Sequence, residues 1–200
     1  MTIAVVDYGV GNLFSIYNAL DRIGAGPKLA REPEEIAGFD GIVVPGVGSF
    51  GRCMRRLARF EPALRRVQEE GTPILGICVG MQVLFEGSEE SPEEGLGWIK
   101  GDVIRLPDSV IVPQMGWNTL SIRREVEILE GISDDDFFYF VHSYHCVPAD
   151  PSVIAATTEY GQEVAAAISE ENLFAVQFHP EKSGEKGLSI LQNFVRLSRC

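Results

Sequence analysis

Positive charge is scarce in this chain. Its 200 residues carry 17 Lys and Arg against 29 Asp and Glu, a formal net charge of −12. A phosphate backbone attracts the opposite sign, so the composition excludes nucleic acid as a natural partner. Much of the acid lies in two short runs, 86–94 and Asp134-Asp135-Asp136, which read as solvated loops. Long apolar runs are missing as well. Nothing approaches the roughly 20 residues of a membrane span, so no membrane association is expected. The opening Met1-Thr2-Ile3-Ala4-Val5-Val6-Asp7 has no basic segment and no small-residue cleavage site, which argues against a secretory signal and for a cytoplasmic protein.

Cysteine and histidine are also few. The four cysteines are Cys53, Cys78, Cys146 and Cys200, and no two form a CxxC pair, so a zinc knuckle or thioredoxin-like site is unsupported. Without secretion a disulfide framework is not expected. Each cysteine stands alone, and a lone cysteine is most often a small buried hydrophobe. There are only three histidines: His142, His145 and His179.

With 45% hydrophobic residues, the chain can bury a full core, and a single domain over 1–200 is expected. The first half alternates strands and helices. A β-branched run at 2–7 ends in the loop Tyr8-Gly9-Val10-Gly11. A helix follows, with Asn12 as its expected cap and Leu13, Ile16, Leu20 and Ile23 at helical spacing. The runs 41–44 and 73–77 are continuously apolar, as in strands buried on both faces. One helix, disturbed at Pro62, is expected to carry Met54, Leu57, Leu64 and Val67, and another to span 79–86. The second half is richer in strands, at 103–106, 119–122, 137–141, 153–157, 164–168 and 174–178, with a closing amphipathic helix over 186–199. This order predicts an α/β fold with a mixed, largely parallel central sheet, helices on both faces and an antiparallel extension. In such sheets, function collects at the carboxyl ends of the parallel strands.

Cys78 lies at such an end, in Gly76-Ile77-Cys78-Val79-Gly80. The pattern is G-x-nucleophile-x-G, in which small flanking residues let the chain turn sharply from strand into helix. The turn opens a helix beside Cys78, an electropositive setting that suits a reactive cysteine, and aims the Val79 amide at any oxyanion formed there. A nucleophilic cysteine needs a base. His179 follows the strand over 174–178, and Glu181 stands two positions later, on the same side of an extended chain, where it can orient the imidazole. His142 and His145 have no carboxylate at that spacing, so His179 is the better base. Pro45-Gly46-Val47-Gly48 also follows a buried strand, and its glycines free backbone amides to face a developing negative charge. It lacks the Lys-Ser/Thr ending of a nucleotide P-loop.

Taken in order, Pro45-Gly46-Val47-Gly48, Gly76-Ile77-Cys78-Val79-Gly80-Met81-Gln82 and Phe178-His179-Pro180-Glu181-Lys182 resemble the class I glutamine amidotransferases that work through a Cys-His-Glu triad. The opening Asp7-Tyr8-Gly9-Val10-Gly11-Asn12 and the segment Met115-Gly116-Trp117-Asn118 narrow the likeness to the glutaminase subunits of imidazole glycerol phosphate synthase. The resemblance covers the whole chain. It implies glutamine as substrate, Cys78 as nucleophile, His179 as acid/base and Glu181 as its orienting carboxylate. It also implies an oxyanion strand at Gly46, Val47 and Gly48, glutamine contacts at Gln82 and Glu90, and a substrate-flanking segment at Ser143-Tyr144. No metal, nucleotide or flavin is called for. The implied partner is a (β/α)8-barrel cyclase in a heterodimer that feeds histidine biosynthesis, with Asn12, Trp117 and Lys182 near the contact. Two rival readings are the glutaminase of another amidotransferase, such as pyridoxal phosphate synthase, and a flavodoxin-like binding module without catalysis.

Overall fold

The computed structural model describes residues 2–199; Cys200 lies outside them. Strands β1 (Ile3–Val6), β2 (Pro27–Ala30), β3 (Gly41–Gly46) and β4 (Ile74–Cys78) alternate with helices α1 (Leu13–Arg22), α2 (Phe50–Leu57) and α3 (Glu61–Glu69). After β4 come α4 (Val79–Gln82), β5 (Gly87–Ser88) and β6 (Gly101–Arg105). The second half holds β7 (Gln114–Thr119), β8 (Ser121–Ile122), β9 (Phe137–His142), β10 (Tyr144–Pro148), β11 (Ile154–Glu159), β12 (Glu163–Glu170) and β13 (Leu173–Val176), and ends in α5 (Gly184–Leu197).

The main sheet runs β2-β1-β3-β4-β13-β12-β11-β8. From β2 to β13 every pairing is parallel, and from β13 to β8 every pairing is antiparallel. Every residue of β1, β3, β4 and β13 is buried. Alternate side chains on a strand point to opposite faces, so complete burial means that both faces are covered. Two smaller sheets lie beside this extension: β7-β9 is antiparallel, and β10-β6-β5 is mixed, antiparallel between β10 and β6 and parallel between β6 and β5.

Two expected helices differ from the structure. The single helix over Met54 to Val67 is two helices, and Pro62 sits in the first turn of α3, where its missing N–H leaves no hydrogen bond unmade. The helix expected over 79–86 ends at Gln82. The returning loop explains this: Leu96, Trp98, Gly97 and Gly95 donate their amides to the carbonyls of Val83, Leu84, Phe85 and Glu86 at 2.8–3.0 Å, taking acceptors a longer helix would have used. Strands β2, β5, β7 and β10 were not expected, and Met115-Gly116-Trp117-Asn118 lies within β7.

The parallel register positions the site. Gly46, the last residue of β3, pairs with Cys78, the last of β4, and Val176, the last of β13, pairs with Ile77. Three strand ends separated widely in sequence therefore meet at one edge of the sheet.

Candidate active site

Cys78 has φ 57 and ψ −112, a sparsely allowed conformation for an L-residue that costs about 1–3 kcal/mol and persists only where its surroundings hold it. Close backbone packing provides that hold. A Cβ on Gly80 would lie 1.9 Å from the carbonyl oxygen of Val44, and one on Gly76 would lie 2.5 Å from that of Gly80. On Gly46 it would come within 2.5 Å of the Gly80 nitrogen. Three glycines thus press the end of β3 against the turn from β4 into α4, and Cys78 is left at the summit of that turn.

His179 follows β13 and opens the 3₁₀ turn Pro180–Lys182. Its Nδ1 is 2.9 Å from Oε1 of Glu181, and the two side chains are 2% and 0% exposed. With Nδ1–H donating to the carboxylate, Nε2 is buried, has no hydrogen-bond partner among the described residues, and is the ring atom available to Cys78. Burial opposes the imidazolium, yet the Cys78 sulfur and the Glu181 carboxylate outweigh it and push the His179 pKa up to about 9. The turn is clamped to β9. The His179 amide donates to the Tyr139 carbonyl at 2.9 Å, while Ser183 Oγ donates to the His179 carbonyl (2.7 Å) and accepts from the Tyr139 amide (3.0 Å).

Cys78 and His179 line a cavity of about 390 Å³, a volume suited to a small metabolite. Val47, Gly48, Val79, Gln82, Glu90, Ser143, Tyr144 and Lys182 line it too. Gly46 lies beneath it, packed on Gly80, and Glu181 lies behind His179. Gln82 is already engaged: its Nε2 donates to the Tyr144 carbonyl at 2.9 Å and to Gln177 Oε1 at 3.2 Å. Glu90 is the one carboxylate of the 86–94 run lining this cavity, and its Oε2 accepts the Phe50 amide at 2.6 Å. That run is not merely solvated. Glu86 pairs with Lys100 at 2.9 Å, Glu89 accepts the Arg105 amide at 2.9 Å, and Glu93 pairs with Arg55.

The residues expected near a partner divide. Lys182 Nζ sits 5.7 Å from the centre of the Tyr139 ring, which meets Trp117 edge-on at 6.0 Å, so Lys182 and Trp117 share an exposed patch at the cavity rim. Asn12 turns inward. It makes no side-chain cap bond to α1 and instead donates its Nδ2 to Glu181 Oε1 at 3.0 Å.

Several residues that touch this site were not singled out from the sequence. Buried Gln177 donates its Nε2 to Cys78 Sγ at 3.8 Å; it sits one position beyond β13, and the motif ending at Phe178-His179 was the signal pointing there. Tyr8 donates its hydroxyl to the Pro45 carbonyl, and Cys53 Sγ donates to that of Val47 at 3.7 Å. Burial, with Cys53 beside it, holds the Tyr8 phenol protonated far above its usual range. His142 and His145 are tied up elsewhere. His142 Nδ1 is 2.9 Å from the Tyr144 carbonyl and Nε2 is 3.0 Å from the Gln114 amide, and burial lowers its pKa to about 4. His145 Nε2 accepts from Gln162 at 2.6 Å. Among the described residues, no three His, Cys, Asp or Glu side chains cluster as a metal site.

The family model for glutamine amidotransferase class-I matches residues 4–197. A protein from Synechococcus sp. (strain JA-3-3Ab) named imidazole glycerol phosphate synthase subunit HisH is 51% identical, covering 96% of this chain and 92% of its own length. Proteins of the same name from Methanothermobacter thermautotrophicus (48% identical; 99% and 100% covered) and Moorella thermoacetica (47%; 98% and 95%) are similar over their full lengths. Among solved structures, a putative GMP synthase protein from Thermoplasma acidophilum superimposes with a TM-score of 0.78 at 21% identity, covering 100% of this chain and 94% of that one. PurLQS from Thermotoga maritima gives 0.79 at 20% identity, covering 98% of both chains. At that identity the two structures speak for the fold.

Proposed function

The chain belongs to the class-I glutamine amidotransferases, and on that premise we propose that it is the glutaminase subunit of imidazole glycerol phosphate synthase, acting through Cys78, His179 and Glu181. The observation that carries the reading is the Glu181–His179 pair, 2.9 Å apart and closed off from solvent, with a free Nε2 lining the same cavity as Cys78.

Cys78 attacks the side-chain carboxamide carbon of glutamine as a thiolate, and the carbonyl electron pair moves onto oxygen. The amide of Val79 and those of the Gly46-Val47-Gly48 strand face that oxygen, each worth on the order of 3 kcal/mol in the transition state. His179 Nε2 then gives its proton to the departing nitrogen, the C–N bond breaks, and ammonia leaves a γ-glutamyl thioester. Water enters, His179 takes one of its protons, the C–S bond breaks, and glutamate is released with Cys78 restored. Throughout, Glu181 holds the ring in one tautomer and stabilises its charged form. Gln82, Glu90 and the Ser143-Tyr144 segment position the amino-acid end of glutamine.

Ammonia released into bulk water is protonated and lost as a nucleophile. The cavity rim, with Trp117, Lys182 and exposed Met115 and Phe137 on β7 and β9, is therefore the face we assign to the cyclase partner, a (β/α)8 barrel in the cytoplasm. The reading is tested by following glutamate release from glutamine, with and without the cyclase and its nucleotide substrate. Turnover that survives Cys78→Ala overturns the mechanism, and turnover indifferent to the cyclase overturns the pairing.

A further inference from the structure

We propose that Asn12 is a positioning residue of the glutaminase site: it fixes the carboxylate of Glu181 against His179. The proposal rests on the triad reading above.

Asparagine at the start of a helix ordinarily caps it, its side-chain oxygen accepting a backbone amide in the first turn. Asn12 does not. Its backbone (φ −85, ψ 58) is outside the extended conformation of a capping residue, and its side chain makes no cap hydrogen bond to α1. Its Nδ2 instead donates to Glu181 Oε1 at 3.0 Å, the same oxygen that accepts His179 Nδ1 at 2.9 Å. The other oxygen, Oε2, is buried with no hydrogen-bond partner among the described residues. The Glu181 side chain is 0% exposed, so a buried carboxylate is held by two donors, both on one oxygen, and Asn12 is one of the two.

The consequences are geometric and electrostatic. With only the imidazole as donor, the carboxylate can rotate about its last bond and offer either oxygen. A second donor arriving from α1 removes that freedom and selects the orientation that keeps Oε1 on Nδ1. It also supplies a charge-assisted hydrogen bond to an anion that water cannot reach, where an unpaired charge is expensive. Asn12 is well placed to act as a fixed post. Preceding Gly11 has φ +115, and a Cβ there would lie 3.0 Å from Pro45 Cβ, so the loop carrying Asn12 is packed against the strand that leads to Val47 and Gly48. The other ionisable groups that bear on His179 are Cys78 and His142, and His142, at about 4, stays neutral through the working range.

The experiment uses the full chain, joined by its cyclase partner where the chain alone turns over too slowly to read. Asn12→Ala removes the donor. Asn12→Ser also removes it, because its hydroxyl is too short to reach Glu181, while keeping a residue that caps helices as well as asparagine does and adding no charge beside the carboxylate. The expected result is a fall in kcat of roughly 10- to 100-fold for both, the scale of one hydrogen bond to a charged group, with KM changed by less than about threefold. In Asn12→Ala the ¹⁵N-detected titration midpoint of the His179 ring should also fall below its wild-type position, as the Glu181 carboxylate loosens from Nδ1 while Cys78 still raises it. A merely structural role gives the other pattern: Asn12→Ser keeps wild-type kcat, or the His179 midpoint in Asn12→Ala does not move, and either result overturns the proposal. If Asn12→Ala fails to fold, Asn12→Ser decides alone. Residual turnover in Cys78→Ala would instead sink the triad reading, whatever the Asn12 variants do.

Discussion

His179 Nδ1 and Glu181 Oε1 meet at 2.9 Å across a single intervening proline, and neither side chain is more than 2% exposed. The sequence suggested an extended i, i+2 pair; in the structure only His179 is extended, and Glu181 is the middle residue of the 3₁₀ turn Pro180–Lys182, which folds the carboxylate back onto the ring. Burial makes the carboxylate's charge count, because little solvent screens it from the ring. Glu181→Gln keeps the shape and removes the charge. It should lower kcat by roughly 10²- to 10⁴-fold while leaving KM within a few-fold, as steady-state glutamate release would show. A KM effect alone would mean that Glu181 serves binding and not the imidazolium.

The same pair sets a pH limit. In the proposed mechanism His179 must carry a proton for the departing nitrogen, and Cys78 and Glu181 push its pKa up to about 9. The alkaline limb of kcat/KM should therefore fall near pH 9 and move to lower pH in Glu181→Gln. A limb that stays in place in the variant would mean that another group controls it.

Stability has its own pH signature, with two histidines acting in opposite directions. His142, lowered to about 4 by burial, favours the fold fully above its unfolded pKa of about 6.5; that contribution drains away as pH falls through 4. It amounts to at most about 3 kcal/mol. His179, raised to about 9, contributes stability that is fully present below about pH 6.5 and lost as pH rises through 9. Urea unfolding from pH 4 to 10 should show both slopes. His142→Asn should flatten the acid one, and an unchanged acid slope would refute the assignment.

The cysteines should differ in reactivity. Burial pushes the Cys53 thiol up to about 11 and the Cys146 thiol well above its usual range. At pH 8 iodoacetamide should modify Cys78, which lines the cavity, while Cys53 and Cys146 react only after unfolding. Peptide mass spectrometry separates the sites. Comparable labelling of Cys53 in the folded protein would contradict its burial.

Gly80→Ala should be far more damaging than an ordinary glycine substitution in a helix. Its Cβ would sit 1.9 Å from the Val44 carbonyl oxygen, a backbone atom that cannot rotate away. The expected cost is at least about 3 kcal/mol, with turnover lost as β3 moves off the Cys78 turn. A thermal melt and an activity assay would check it, and near-wild-type values for both would show that the two backbones are not in close packing.

What the sequence determined by itself was local in origin. Continuous apolar runs at 41–44 and 73–77 specified strands covered on both faces, and the glycines around Cys78 specified a sharp turn, because period and backbone freedom are properties of neighbouring residues. Cys78, His179 and Glu181 were legible for the same reason: each carries its chemistry in a short motif at a strand end. The tertiary structure decided what depends on residues far apart. The 79–86 helix stops at Gln82 because the loop from 95 to 98 takes its carbonyls. Gln177 reaches Cys78, 99 residues earlier, only because β13 lies beside β4. Asn12 shows the division most clearly. Its position before an amphipathic run reads as a helix cap, yet a buried carboxylate 169 residues later accepts from its Nδ2, and the side chain turns there with no cap bond to α1. No local pattern encodes that choice, because the partner is in place only once the fold has set the start of α1 against the turn Pro180–Lys182.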